Sequence, residues 1–220
     1  MRVLITAGPT HEPIDAVRFL GNRSSGRMGM ALASAFSRRG HETTLLLGPV
    51  PARQALPGVR IEDFESTADL AGLLDREFPA SDLLVMAAAV ADFRPMGQPL
   101  PAKLERGTAM SLELEPTPDL VAGLATRRRP GQRLVGFSLE APEVLESRAR
   151  TKLLRKGLDA IVANPLATMN AEGIEGMLLA ADGSVRRPGR LGVIPKTEFA
   201  EWLADELLAL PARSAHPAHA

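Results

Sequence analysis

The sequence predicts an α/β fold: a Rossmann-like open, mostly parallel sheet with helices on both faces and a Pro-rich lid or arm. Two observations lead there. Short, almost wholly apolar runs recur along the chain, as strands covered on both faces require. Between them lie segments whose apolar residues follow helical spacing. Strand and helix in alternation imply parallel strands joined by right-handed crossovers. The 220 residues, 45% hydrophobic and 24% charged, suit one large domain, placed over residues 1–210.

The elements follow in order. Val3 to Ala7 reads as the first strand and Met28 to Arg38 as the first crossover helix. Thr43 to Leu47, Leu83 to Ala88, Leu134 to Phe137 and Ala160 to Ala163 read as further strands, bounded by Gly, Pro or charged residues. Ala68 to Phe78, Asp119 to Arg128 and Glu143 to Lys156 read as the helices between them. A last helix, Thr197 to Leu210, holds the only tryptophan, Trp202, in a packing role. Two stretches break the pattern. Residues 89–102, "AVADFRPMGQPLPA", carry three prolines and a glycine, too long for an ordinary connection of ~2–6 residues, and read as the lid or arm. In "MLLAADGSVRRPGRLGVIP", Asp182-Gly183 between apolar runs predicts a hairpin at the far edge of the sheet. Residues 211–220 read as a disordered tail, which leaves His216 and His219 solvated rather than ligating metal.

Composition narrows the function classes. Lys plus Arg and Asp plus Glu both number 26, so no net field exists to hold a polyanion or an anionic membrane, and no nucleic-acid or membrane partner is expected. The absence of cysteine excludes disulfides, thiolate metal sites and a Cys nucleophile. The start, "MRVLITAG", is unlike a signal peptide, and no run approaches the ~20 apolar residues of a membrane span. A cytoplasmic protein is expected.

The stretch "GNRSSGRMGM", residues 21–30, locates the chemistry. With Val3 to Ala7 as a central strand and Met28 opening the crossover helix, Gly8 to Gly26 form a long loop at the strand's carboxyl end, where open α/β sheets bind ligands. Ser24, Ser25 and Gly26 would then stand at a helix N-terminus, whose free N–H groups and dipole favour phosphate. The competing reading is a serine N-cap with small residues for packing. No Gly-Lys-Ser/Thr tripeptide occurs, which excludes a P-loop. The second strand ends "LLLGP" without a ribose-binding acid, and there is no tyrosine, which argues against a dinucleotide-dependent reductase.

Five segments, "ITAGPTHEPIDAVRFLGNRSSGRMG", "AAAVADFRP", "TPDLVAGL", "VGFSLE" and "KLLRKGLDAIVAN", stand in the order seen in the phosphopantothenoylcysteine synthetases of coenzyme A biosynthesis. The chain resembles that family over roughly residues 3–164, and looks like its free-standing rather than its decarboxylase-fused form. The resemblance implies a ligase that joins 4'-phosphopantothenate to L-cysteine. The carboxylate first attacks the α-phosphate of CTP to give an acyl-cytidylate and pyrophosphate; the cysteine amine then displaces CMP. Such chemistry is mostly positioning and neutralisation of triphosphate charge, by Mg2+, lysine and backbone donors. It needs no catalytic histidine, and His11 and His41 read as surface residues.

By the same resemblance, Asn22 lies beside the activated carboxyl group as a donor to the acyl oxygen, with a turn role as the alternative. Gly8, Ser24, Ser25 and Gly26 belong to the nucleotide site. Met86, Ala87 and Ala88 offer backbone to the cytidine, and Asp92 matches the acid of a motif in which Phe93 replaces tyrosine. Pro118, Asp119, Leu120 and Val121 form the next nucleotide-binding turn, and Phe137 a further contact. Lys152 and Lys156, one helical turn apart, place two cations on one face. Lys103 would close on CTP from the arm. Arg18 would meet the phosphopantothenate phosphate, from a neighbouring subunit of a homodimer. Three departures stand out: the family's "KIKK" is "KLER" at 103–106, its "AND" is "ANP" at 163–165, and its following Gly-Phe segment is hardly visible. They keep open a nucleotide-binding paralogue without turnover and, less favoured, an NADPH-dependent reductase.

Overall fold

A computed structural model describes residues 1–107, 109–190 and 192–211; the tail expected at 211–220 falls, but for Pro211, outside the described residues. Strands are β1 (Arg2–Ala7), β2 (His11–Pro13), β3 (Phe19–Gly21), β4 (Glu42–Leu47), β5 (Val59–Asp63), β6 (Leu83–Met86), β7 (Phe93–Pro95) and β8 (Leu114–Pro116). They continue with β9 (Arg133–Glu140), β10 (Ala160–Pro165), β11 (Gly173–Ile174), β12 (Met177–Ala180), β13 (Val185–Arg186) and β14 (Ile194–Pro195). Helices are α1 (Arg27–Arg38), α2 (Thr67–Glu77), α3 (Leu120–Thr126), α4 (Leu145–Arg155) and α5 (Lys196–Leu208).

Eight strands form one sheet in the order β13-β12-β10-β9-β6-β1-β4-β5. From β5 to β10 every pairing is parallel, the doubly wound order that reverses direction between β1 and β6 and opens a crevice beyond their carboxyl ends. At the other end of the sheet, β12 and β13 are antiparallel and form the expected hairpin around Gly183, whose φ is 91°. β5 was not expected. Its sequence, VRIED, alternates apolar and charged residues, as an edge strand with one covered face does.

Side-chain alternation sorts the core into two layers. Val3, Ile5, Leu45 and Val85 face α1 and α5, meeting Leu32, Phe36, Phe199 and Leu203. Leu4, Leu46, Leu84 and Leu134 face the other way, onto Leu70 and Leu74 of α2, Leu124 of α3 and Leu153 of α4. Trp202 packs on Phe199 with ring centroids 5.0 Å apart. Among the described residues no helix is long and apolar enough to cross a membrane.

The long loop after β1 is ordered by buried polar contacts. Glu12, on β2, accepts from the Thr67 N–H at 2.9 Å and its hydroxyl at 2.6 Å, so its carboxylate sits on the first turn of α2. Thr10 reaches the other way and accepts from the Ala91 N–H at 2.9 Å. The stretch after β6 is therefore tied to the loop after β1. The Pro-rich segment supplies β7, which pairs with β8 in a two-stranded ribbon, and between these strands the chain returns to the turn between β2 and β3. There Leu100 donates to the Ile14 carbonyl at 3.2 Å and Leu104 to Asp15 at 3.0 Å.

Candidate functional site

Two adjoining clefts open along the carboxyl ends of the central strands. The first, about 400 Å3, is lined by Met86, Ala88, Asp92, the turn Thr117–Val121, Phe137, Lys152 and Lys156. The second, about 220 Å3, lies between the start of α1 and the end of β10, lined by Arg23–Gly29, Ala87–Ala89, Phe137, Asn164 and Lys196, among others. Ala88, Ala89 and Phe137 belong to both, so the two are compartments of one crevice.

Most of the residues named from the sequence meet here. Met86, Ala88, Asp92, Pro118, Asp119, Leu120, Val121, Phe137, Lys152 and Lys156 line the first compartment; Ser24, Ser25, Gly26 and Ala87 line the second. Gly8 lines neither. Its carbonyl accepts from the Ala89 N–H at 2.8 Å and so sets the path of the crevice wall. Asn22 stands at the rim, in a hollow of about 520 Å3 beside Arg23 and Ser24.

The local structure at α1 differs from a serine cap. The N-cap is Gly26, with φ 67°, and no side chain caps the helix; the Ser24 hydroxyl reaches only the Gly26 N–H, at 3.4 Å. A left-handed N-cap requires glycine, and a Cβ there would stand 2.8 Å from a Val50 methyl. Gly29 is required for a different reason, because a Cβ would strike that of Ala7 on β1. The helix thus lies close on the sheet with its first-turn N–H groups lacking a side-chain acceptor, an arrangement open to an anion.

Lys152 and Lys156 both carry carboxylate partners. Lys152 Nζ is 2.7 Å from Glu140, and Lys156 Nζ is 3.0 Å from Asp119, which also caps α3 by accepting from Ala122 at 3.2 Å. The Lys152 hydrogen bond outweighs burial and holds the Glu140 carboxyl below its usual value, with Arg148 adding to the effect. Asn22 also departs from expectation. Its amide nitrogen donates to the carbonyls of Ala89, at 3.2 Å, and Val90, at 2.9 Å. Both amide hydrogens go to backbone, which leaves Oδ1, an acceptor, as the side chain's remaining hydrogen-bonding atom.

Arg18 and Lys103 are not brought into the crevice of their own chain. Arg18 pairs with Asp15 and donates to the Leu104 carbonyl at 3.2 Å. Asp15, whose side chain is fully enclosed, is held at about 2, first by the Leu104 N–H and then by Val17 and Arg18. Lys103 is exposed, in irregular chain beside this anchor. His11 is half-buried, stacked on Phe19 with ring centroids 3.5 Å apart, and not a plain surface residue; burial lowers its pKa.

Sequence reasoning missed Arg27, Asn164 and Lys196. Arg27 was visible inside a matched segment but carried no spacing signal, and Lys196 lies where the resemblance fades. Among the described residues no three His, Asp or Glu side chains form a metal-holding group.

The family described as the DNA/pantothenate metabolism flavoprotein C-terminal domain matches residues 1–210. A protein named cysteine/cysteine sulfinic acid decarboxylase, from an unknown prokaryotic organism, is 45% identical over 166 residues, 75% of this chain and 46% of that protein. The coenzyme A biosynthesis bifunctional protein CoaBC of Mycobacterium bovis is 40% identical over 196 residues, 83% of this chain and 47% of that protein. The chain thus spans about half the length of these relatives. Among solved structures, the C-terminal domain of a coenzyme A biosynthesis bifunctional protein CoaBC superposes with a TM-score of 0.78 at 32% identity, covering 94% of this chain and 93% of the other.

Proposed function

The chain belongs to the DNA/pantothenate metabolism flavoprotein C-terminal domain family, that of the phosphopantothenoylcysteine synthetases, and from that premise we propose that it is a ligase joining 4'-phosphopantothenate to L-cysteine with CTP. In this reading the phosphopantothenate carboxylate attacks the α-phosphorus of CTP, the bond to pyrophosphate breaks, and an acyl-cytidylate remains. The cysteine amine attacks the acyl carbon, loses a proton, and CMP leaves. One observation carries the assignment: residues from Met86 to Lys156, far apart in sequence, line a single compartment beside the sheet's switch point. That is where this fold binds nucleotides.

Catalysis here is positioning and electrostatics rather than acid–base work. The strand end at Met86–Ala88 and the turn Thr117–Val121 offer backbone groups and a narrow apolar wall to a pyrimidine nucleoside. Asn22 Oδ1 is an acceptor suited to the amine of the incoming cysteine. The chain fits magnesium only as an ion borne on the triphosphate, with phosphate oxygens and water as ligands and at most Asp92 from the protein, since Asp119 is committed to Lys156.

A homodimer belongs to the same reading. Val17, Phe19, Phe93, Met96, Leu100 and Leu114, each more than 40% exposed, gather on the β2–β3 turn and the β7–β8 ribbon, and Arg18 and Lys103 lie among them. An exposed apolar group of this kind fits a protein partner, and a second copy would carry those two cations toward its neighbour's crevice.

The test is direct. The protein is incubated with 4'-phosphopantothenate, cysteine, magnesium and each nucleoside triphosphate in turn, with pyrophosphate and nucleoside monophosphate followed. CTP-dependent product with CMP released is expected. A nucleoside diphosphate product would show phosphoryl rather than nucleotidyl transfer and would sink the reading, and binding without turnover would favour the paralogue.

A further inference from the structure

Glu12 is a buried carboxylate that α2 does not need. That helix is already capped by Ser66, whose hydroxyl accepts from the Asp69 N–H, and by Asp69, whose carboxylate accepts from the Ser66 N–H and supplies an acid in the first turn. Glu12 nonetheless sets one carboxylate oxygen on both the N–H and the hydroxyl of Thr67, at 2.9 and 2.6 Å. It enters no salt bridge among the described residues, so the burial of its charge is costly. A neutral glutamine could accept the same two bonds with less desolvation.

The use of the charge follows from counting hydrogens. The Thr67 hydroxyl has one, and the 2.6 Å contact with the carboxylate takes it. Across the 3.2 Å contact between the Thr67 and Thr10 hydroxyls, Thr10 is therefore the donor. The lone pairs of Thr10 are left to the Ala91 N–H, which donates to them at 2.9 Å. A single file of donors thus runs from Ala91 through Thr10 and Thr67 to Glu12, each polarised by the next, with the negative charge at its end.

The Ala91 N–H shares one planar peptide with the Val90 carbonyl, and that carbonyl accepts from Asn22 at 2.9 Å. The plane is held at both edges, and both of its residues line the first compartment. The Thr117 hydroxyl bonds the next carbonyl, that of Ala91, and ties in the turn Thr117–Val121. Thr10, Glu12 and Thr67 themselves line neither compartment nor the hollow at Asn22. We infer that Glu12 is a positioning residue of the crevice: through Thr67, Thr10 and the Val90–Ala91 peptide, it sets where Asn22 stands. The inference rests on the ligase reading for the step affected, the attack of cysteine on the acyl-cytidylate.

Thr10→Val removes the hydroxyl at nearly constant volume, Thr10→Ser keeps it, and Glu12→Gln removes the charge alone. Two quantities are measured in each: hydrogen exchange at the Ala91 amide, and the single-turnover rate of cysteine with preformed acyl-cytidylate. In Thr10→Val, exchange at Ala91 should quicken and the cysteine step slow about 10-fold, less than the cost of a full ångström's misplacement at a reacting centre, with CMP affinity unchanged. Glu12→Gln should slow the step severalfold, and Thr10→Ser should match wild type. In an Asn22→Ala background, where the peptide is already released at its other edge, Thr10→Val should add almost nothing. A full second loss there would make the two residues independent and overturn the inference. So would an unaltered cysteine step in a Thr10→Val protein whose Ala91 exchange has quickened, which marks a brace of the fold alone. If Thr10→Val does not fold, Glu12→Gln carries the same comparison, and its equality with wild type in both measurements overturns the inference. The ligase reading fails separately: wild type without turnover removes that reading, while quickened Ala91 exchange in Thr10→Val and Glu12→Gln keeps the placing of the Val90–Ala91 peptide by Glu12.

Discussion

The side-chain amide of Asn22 donates to the backbone carbonyl of Val90 at 2.9 Å, across 68 positions of sequence. This bond, with its neighbour to Ala89, clips the loop after β1 to the strand end that lines the first compartment. Asparagine is suited to it because one nitrogen supplies two hydrogens while the oxygen stays open.

The substitution Asn22→Asp therefore acts twice. It removes both donors and sets a carboxylate against two carbonyl oxygens, so the loop must shift. A stability loss of about 1 kcal/mol is expected. The attack of cysteine on preformed acyl-cytidylate should slow on the order of 10²-fold, the scale of a small misplacement at a reacting centre, with the cytidylate accumulating by mass spectrometry. Full activity would leave Asn22 as a turn residue only.

Glu140 gives a pH prediction. Its carboxyl is held below the usual value by Lys152, so the folded state binds this proton less readily than the unfolded chain. The stabilisation is fully present above the unfolded value, about 4.3, and is lost as pH falls through the lower folded value. Lys152→Met should raise the folded value toward normal and shrink that stabilisation, leaving a variant less stable at neutral pH and more alike to wild type in acid. Thermal melts across the acid range check this, and a difference constant with pH would refute the pairing.

Asp15 predicts the behaviour of the arm. At about 2, with the Leu104 N–H as the leading cause, it should keep the arm anchored at neutral pH and release it only as pH falls from about 4 toward about 2. Asp15→Asn should show rapid hydrogen exchange at the Leu104 amide already at neutral pH, with the exchange of β1 and β6 unchanged. Slow exchange at Leu104 in that variant would mean that the backbone contact of Leu100 with Ile14 suffices.

Mixing tests the placement of Lys103 outside its own crevice. If the arm serves a neighbouring copy, Lys103→Ala and Asn22→Asp proteins, each weakly active alone, form mixed dimers in which one site carries both defects and the other none. Random exchange should restore about a quarter of wild-type turnover. No recovery after verified subunit exchange would leave Lys103 without a role in the partner's site.

The parallel core was legible because the strands covered on both faces carry short, almost wholly apolar runs, unbroken in Leu83 to Met86. β5 was hidden by its charged residues, and β2, β3, β7 and β8 by their length of three residues each. The cations Lys152 and Lys156 could be named, but not their partners, since Asp119 lies 37 positions from Lys156 and only the folded chain joins them. Lys196 was illegible for a plainer reason: a lysine opening a helix looks like any surface lysine until the end of β10 and the start of α1 are brought to face it.

The position of β1 has a consequence for how the molecule is made. It precedes the other strands of its sheet in the chain, yet it pairs with strands some 40 and 80 residues later, Val3 meeting Thr43 on one side and Leu83 on the other. Loop closures of that span are slow, because the entropy of closing them is lost before the pairing energy arrives. A nascent chain thus carries an apolar segment with at least one hydrogen-bonding edge open until the residues around Leu83 have left the ribosome, and the crevice is closed only when the start of α5 docks. Partly made chains should depend on chaperones, and a chain cut before Lys196 should expose the apolar sheet face that α5 covers to aggregation rather than fold to a smaller domain.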